Sequence, residues 1–165
     1  MTTNNTPVSL PAIVELFAHS STALKYPKLK LTTRKGNTLF IKLMKHGRCI
    51  GSLAVSNGAP YGDINNKFYG YIHPNGEFHP SRWVATAHTA DMSDACNTLK
   101  AINANPRNFA LSYGNTTCNC MFCGKQLTRS ESKLYGYGPI CAANWGLPYD
   151  VSNEEAKAAL NLMQL

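Results

Sequence analysis

Three cysteines within six residues, Cys118-Asn119-Cys120-Met121-Phe122-Cys123, followed by Gly124 and later by Gly138-Pro139-Ile140-Cys141, constrain this chain more than any other feature. Thiols spaced as Cys-x-x-Cys can converge on one ion while the backbone reverses. A glycine after the second thiol accepts the positive φ or close approach that such a reversal needs. Pro139 suits the first turn of a helix, which puts Cys141 where unpaired amides and the helix dipole favour a thiolate. Knuckle, intervening turn or hairpin, and ligand at a helix start together predict a treble-clef-like zinc module over residues 118–146. Three thiolates leave a closed tetrahedral site one ligand short. The position three residues after Cys141 is Asn144, a poor zinc ligand. Cys118 is the nearest replacement, because only a small loop has to close between it and Cys120. His73, His79 and His88 are rivals that the fold would have to bring in. The expected metal ligands are therefore Cys118, Cys120, Cys123 and Cys141, with Zn2+ as cofactor. Incidental free thiols are the plain alternative, and the clustering argues against it. Cys49 and Cys96 differ: each sits in an apolar pattern and reads as core packing.

Metal binding also presumes a reducing compartment. The start of the chain, Met1 to Pro7, carries no positive charge and leads into the mixed segment Val8 to Leu24, unlike the basic start and apolar run of a signal peptide. No stretch reaches the roughly 18 consecutive apolar residues of a membrane span. A cytoplasmic location is expected, with no membrane partner, and clustered cysteines there usually bind metal rather than form disulfides.

The rest of the chain divides by periodicity. Leu10 to about Leu24 reads as a helix, with Pro11 in its first turn and Ile13, Val14, Leu16 and Phe17 at helical spacing. Lys28 to Phe78 reads as antiparallel strands. Leu29 and Leu31 alternate with lysines, Arg34-Lys35-Gly36-Asn37 supplies a turn, and Leu39, Ile41 and Leu43 alternate with Phe40, Lys42 and Met44. His46-Gly47 permits a turn before a strand over Cys49 to Val55, and His73-Pro74-Asn75-Gly76 is a hairpin signal between Phe68–Ile72 and the strand entered at Glu77-Phe78. Met92, Ala95, Cys96, Leu99 and Ile102 predict a helix with Asp91 as its N-cap. Asn105-Pro106 starts a short helix that Gly114 closes. Ser152-Asn153-Glu154-Glu155 is a capping box for a last helix with Ala156, Ala159, Leu160 and Met163. The fold class is α+β: an N-terminal helix on an antiparallel sheet of about four to five strands, then helices and the zinc module. The expected division is a core over residues 1–115 and a zinc-binding module with a C-terminal helix over 116–165.

The run Cys120-Met121-Phe122-Cys123-Gly124-Lys125-Gln126-Leu127-Thr128, then Ser132, then Gly136-Tyr137-Gly138-Pro139-Ile140-Cys141, resembles an uncharacterised family of domains common in bacteriophage proteins. The pattern the resemblance implies is Cys-x-x-Cys-Gly, a Leu-Thr step, a Ser, Gly-x-Gly-Pro and a final Cys. The trailing Gly146-Leu147-Pro148 is similar too, and the hairpin ending in Gly76-Glu77-Phe78 is a fainter match. A phage origin is implied; no activity comes with it. Gly136 and Gly138 read as places where the backbone approaches the metal, and Ser132 as a hydrogen-bond donor to sulfur or a cap on a short turn.

Function must then come from charge and surface chemistry. No paired carboxylates, no phosphate loop and no Glu placed beside a cysteine ligand point to catalysis, so no catalytic residue is assigned. The net charge is +7, from 16 basic against 9 acidic residues, and its distribution matters more than its total. No acid lies between Glu15 and Asp63, yet Lys25, Lys28, Lys30, Arg34, Lys35, Lys42, Lys45 and Arg48 all do. A one-signed field of this kind attracts nucleic acid. The expected nucleic-acid-binding residues are Lys28, Lys30, Arg34, Lys35, Lys42, Lys45 and Arg48. Phe68, Tyr69, Tyr71, Trp83, Tyr135 and Tyr137 are available to stack bases or to pack hairpin and core. The competing reading is a protein-interaction factor that binds or inhibits a host protein, with the lysines merely keeping a strand soluble.

Overall fold

Alternation of leucine and lysine decides which side of the first long strand is wet. A computed structural model of the protein describes residues 8–60 and 62–149. Strand β2 (Lys28–Thr32) buries Leu29 and Leu31 and exposes Lys28, Lys30 and Thr32. It pairs antiparallel with β3 (Thr38–Leu43), whose Leu39 and Ile41 are buried opposite Leu31 and Leu29. Strands β4 (Leu53–Ser56), β5 (Phe68–Ile72) and β6 (Glu77–Pro80) continue the meander, and the two-residue β1 (Val8–Ser9) adds to its far edge. The result is one six-stranded antiparallel sheet in the order β1-β6-β5-β4-β3-β2. The additional strand is β1, pairing Val8 with Phe78 and Ser9 with Glu77; two residues are too short to display alternation.

The leucine side of the sheet is covered by helices α1 (Pro11–Ser20) and α3 (Thr89–Ala104), with the short α2 (Arg82–Ala87) leading in. Ile13, Leu16 and Phe17 of α1 and Met92, Ala95, Leu99 and Ile102 of α3 join Leu29, Leu31, Leu39, Ile41, Val55 and Ile72 in a single core. Helix α1 has no side-chain cap of its own. Asn103 of α3 supplies one across the interface, its Oδ1 accepting from the amides of Ala12 at 2.8 Å and Ile13 at 3.3 Å.

Helix α3 starts two residues before Asp91, so the expected cap lies inside the first turn. Asp91 instead takes the ammonium of Lys67 at 2.6 Å, which holds its carboxyl below the ordinary carboxylate range. One turn on, buried Asp94 accepts from the Thr33 hydroxyl and from Asn37 Nδ2, pinning the β2–β3 turn to α3.

Helix α4 (Pro106–Thr117) begins as the Asn-Pro step predicts, the Asn105 side chain accepting from the Asn108 amide at 3.1 Å. It does not stop at Gly114. That residue lies against the end of α5 (Ser130–Tyr135), where a Cβ would come within 2.7 Å of Gly136 Cα. A Cβ on Gly136 would meet the Ala110 carbonyl oxygen at 2.0 Å, so the two glycines allow one close crossing. Helix α6 (Pro139–Trp145) returns to α1, its Trp145 ring edge-on to Phe17 with centroids 5.0 Å apart. The capping box at Ser152 and the helix it would start lie outside the described residues. No described helix is long and apolar enough to cross a membrane.

Candidate functional site

The metal-ligand geometry begins at the end of α4. Cys118 there has φ of 60°, the single positive φ at a non-glycine among the described residues, and its amide bonds the Gly114 carbonyl at 2.8 Å. The chain then turns back on itself. The Cys120 amide donates to Lys125 O at 2.8 Å, Gly124 to Cys120 O at 2.9 Å and Leu127 to Cys118 O at 2.8 Å. Gly124 at the reversal has φ of 74° with open space where a Cβ would stand, so conformation rather than crowding demands glycine. Cys120 and Cys123 occupy the tip of this knuckle, over the buried side chains of Met121 and Phe122. Pro139 is the first residue of α6, which brings Cys141 to them from the other side.

The sulfurs of Cys120, Cys123 and Cys141 all lie within 4.8 Å of one another, and the three can hold a metal ion. Cys120 and Cys141 are buried and Cys123 is exposed. A hydrogen bond from the Cys141 thiol, against the cost of burial, pulls Cys120 down to about 5, helped by the amides of Cys123 and Phe122. The Phe122 amide donates to Cys120 Sγ at 3.4 Å. Cys141 moves the opposite way, because it keeps the shared proton beside a thiolate and is itself buried. Three soft donors at this spacing, one of them shifted toward its thiolate form and held by amide donors, match the chemistry of a thiophilic cation.

The structure does not bring the expected fourth ligand into this group. Cys118 is exposed and serves as the left-handed cap of α4. His73 and His79 contact one another on the β5–β6 hairpin with ring centroids 4.3 Å apart, and His88 lies beside Trp83. Among the described residues no fourth Cys, His, Asp or Glu joins the three. Among the described residues the Ser132 hydroxyl meets that of Tyr149, at 3.3 Å, rather than a sulfur. Gly136 serves the α4–α5 crossing rather than an approach to the metal.

The basic residues separate into three groups. Lys28, Lys30 and Lys42 stand on the outer face of the sheet; Arg34 and Lys35 occupy the β2–β3 turn; Lys45 and Arg48 occupy the β3–β4 loop. Among the described residues none of the seven makes an ion pair. Cross-strand register arranges the outer face in two rows. One runs Lys28, Lys42, Ala54, Tyr71, His79 across five strands. The other runs Lys30, Phe40, Ser56, Phe68 across four. Phe40, Phe68 and Tyr71 are half-buried, and the last two meet edge-on at 4.8 Å. Of the other aromatics considered, Tyr69 and Tyr137 are core residues, both pushed up to about 12 chiefly by burial. Phe40 is the residue that inspection of the sequence passed over. The signal was present, since Phe40 alternates with Leu39 and Ile41 and so must face away from them.

Neither a curated protein nor a solved structure matches the chain. Residues 110–146, from the Ala110 that receives Gly136 through the knuckle to the end of α6, are similar to a family described as a family of unknown function (DUF6011).

Proposed function

We propose that the protein is a zinc-stapled nucleic-acid-binding protein of phage origin, which holds a phosphate backbone against the lysine-bearing side of its sheet. The observation that carries this reading is the register of Lys28 directly opposite Lys42, with Lys30 beside them on the same face. Like charges directly opposed across strands destabilise a sheet. A polyanion turns that cost into charge-assisted contacts and counterion release. Among the described strands the outer face carries one acid, Glu77, which lies on β6, far from the lysines, and is engaged by His79 at 3.3 Å. Zinc is the metal that a cluster of cysteine thiolates in a treble-clef-like turn serves best; Cys120, Cys123 and Cys141 would hold it, and when bound it would contribute folding energy rather than chemistry. The likeness of residues 120–148 to domains common in bacteriophage proteins supports the origin.

The test is the salt dependence of binding by the zinc-loaded chain and by its K28E/K30E variant. The carboxylate introduced at position 28 would face Lys42 across the strand, so this variant has an attractive pair where the parent has a repulsive one and should stay folded. Removing two phosphate contacts should lower the slope of log K against log salt by about 1.4 to 1.8. If the variant retains nucleic acid with an unchanged slope, the lysines only keep an edge soluble, and a host-protein partner becomes the leading reading.

A further inference from the structure

We infer that the nucleic acid held by this face is single-stranded, with unpaired bases lying on Phe40, Phe68 and Tyr71 while the phosphates follow the lysines of β2 and β3. The inference rests on the nucleic-acid reading above and goes beyond it by naming the strandedness and orientation of the ligand.

The outer face changes character from one side to the other. Lysines stand on β2 and β3, aromatics on β3 and β5, and the acid Glu77 is at the opposite side on β6. A phosphate backbone is drawn to the first side and repelled from the last, so the bases of a bound strand point inward across the sheet. What they meet there is suited to them. Phe40 and Phe68 are two strands apart, roughly 10 Å at ordinary strand spacing. Between them β4 places the small side chains of Ser56 and Ala54, the latter buried, so the aromatic rings flank a strand that carries no large side chain on this face. Burial first, and the neighbouring Cys49 after it, push the Tyr71 hydroxyl up from its ordinary value.

A duplex would use only the lysines of this face. Its base faces are stacked out of reach, so Phe40, Phe68 and Tyr71 would add nothing to its affinity. Single strands expose the π faces of their bases, and a basic track beside aromatic rings is how proteins hold them without demanding sequence. Gly58 adjoins Phe40, and sheet packing explains half-buried aromatics, but it gives no reason for them to lie beside lysines without ion pairs on the same face.

The experiment is fluorescence anisotropy of the full zinc-loaded chain with three labelled probes: a mixed-sequence DNA 12-mer, the RNA of the same sequence, and the DNA duplex. The expected result is at least tenfold tighter binding of one or both single strands than of the duplex at equal salt. In F40L/F68L, where leucine keeps apolar packing but removes the ring face, single-strand affinity should fall about tenfold or more. The salt slope should not change, because no phosphate contact is lost; K28E/K30E should do the reverse and reduce the slope. As a check that needs no variant, 5-iodouracil placed in the single strand should photo-crosslink to Phe40, Phe68 or Tyr71. Duplex binding as tight as that of both single strands, an F40L/F68L affinity equal to the parent's, or crosslinks confined to residues 33–37 and 44–52 would overturn the inference and leave the nucleic-acid reading standing. Failure to bind any of the three probes would overturn that reading itself.

Discussion

One added methyl group at position 114 should do more damage than its size suggests. In an exposed helix, alanine for glycine is stabilising by up to about 1 kcal/mol. At Gly114 the new carbon would lie 2.7 Å from Gly136 Cα and 3.0 Å from Leu127 Cδ1, and backbone cannot yield as a flexible side-chain end can. We expect Gly114→Ala to destabilise the zinc-loaded protein by about 1–3 kcal/mol, the range for overpacking, read as a lower urea midpoint at unchanged m-value. A midpoint equal to or above the parent's would show that α4 and α5 can separate freely. The same contact explains a misreading of the sequence. A lone glycine near the end of a helical pattern looks like a terminator. Its actual reason, Gly136, stands well downstream and is invisible to local inspection.

At the scale of elements, the strand following the 57–66 loop is tied to α3 by Lys67 and Asp91, and this tie has a pH signature. The Asp91 carboxyl is depressed, first by the Lys67 hydrogen bond and also by its charge, despite some desolvation. A group whose folded-state pKa lies below its unfolded value contributes stability at neutral pH and loses it as pH falls through the acidic range, below the ordinary aspartate value of about 4. Replacing Lys67 by Met should therefore flatten the acid limb of a stability–pH profile and leave the region above about pH 6 displaced but parallel. An acid limb as steep as the parent's would assign the acid sensitivity to other carboxylates. How far such elements could be read in advance depended on how local their causes are. The β2–β3 hairpin and its facing were legible because Leu29, Leu31, Leu39 and Ile41 alternate without interruption. The Asn105 cap was legible because cap and amide are three residues apart. The Asn103 cap of α1 and the Asp94 anchor of the β2–β3 turn join residues 91 and 61 positions apart, and no pattern in the sequence announces either. The candidate metal centre divides the same way. Its knuckle and helix start were legible from Cys-x-x-Cys-Gly and Gly-Pro-x-Cys, whereas the place of Cys118, a left-handed cap outside the three-cysteine group, depends on where α4 ends.

The buried residues of the sheet and of the cysteine-bearing segment form one cluster, and the proposed division into residues 1–115 and 116–165 has a thermodynamic test. A structural ion supplies the folding energy of its own segment. The protein should carry about one zinc per chain, and Cys123→Ser or Cys141→Ser should release it, whereas Cys118→Ser should retain it, as measured by metal analysis of chelator-free preparations. Loss of metal by Cys118→Ser to the same extent would restore Cys118 as the fourth ligand. Absence of zinc from the parent would remove the metal reading altogether. The seam between the two parts is Trp145, which is 3% exposed and rests on Phe17 of α1 and on Phe122 of the knuckle, both with centroids at 5.0 Å. The chain's other tryptophan, Trp83, is 58% exposed. One indole thus emits from an apolar seam and the other from water: chelation should shift the emission of Trp145 to the red and leave that of Trp83 as it is. With Trp83 replaced by Phe, a single colour then reports, in real time and without any label, whether the cysteine unit is closed against the sheet.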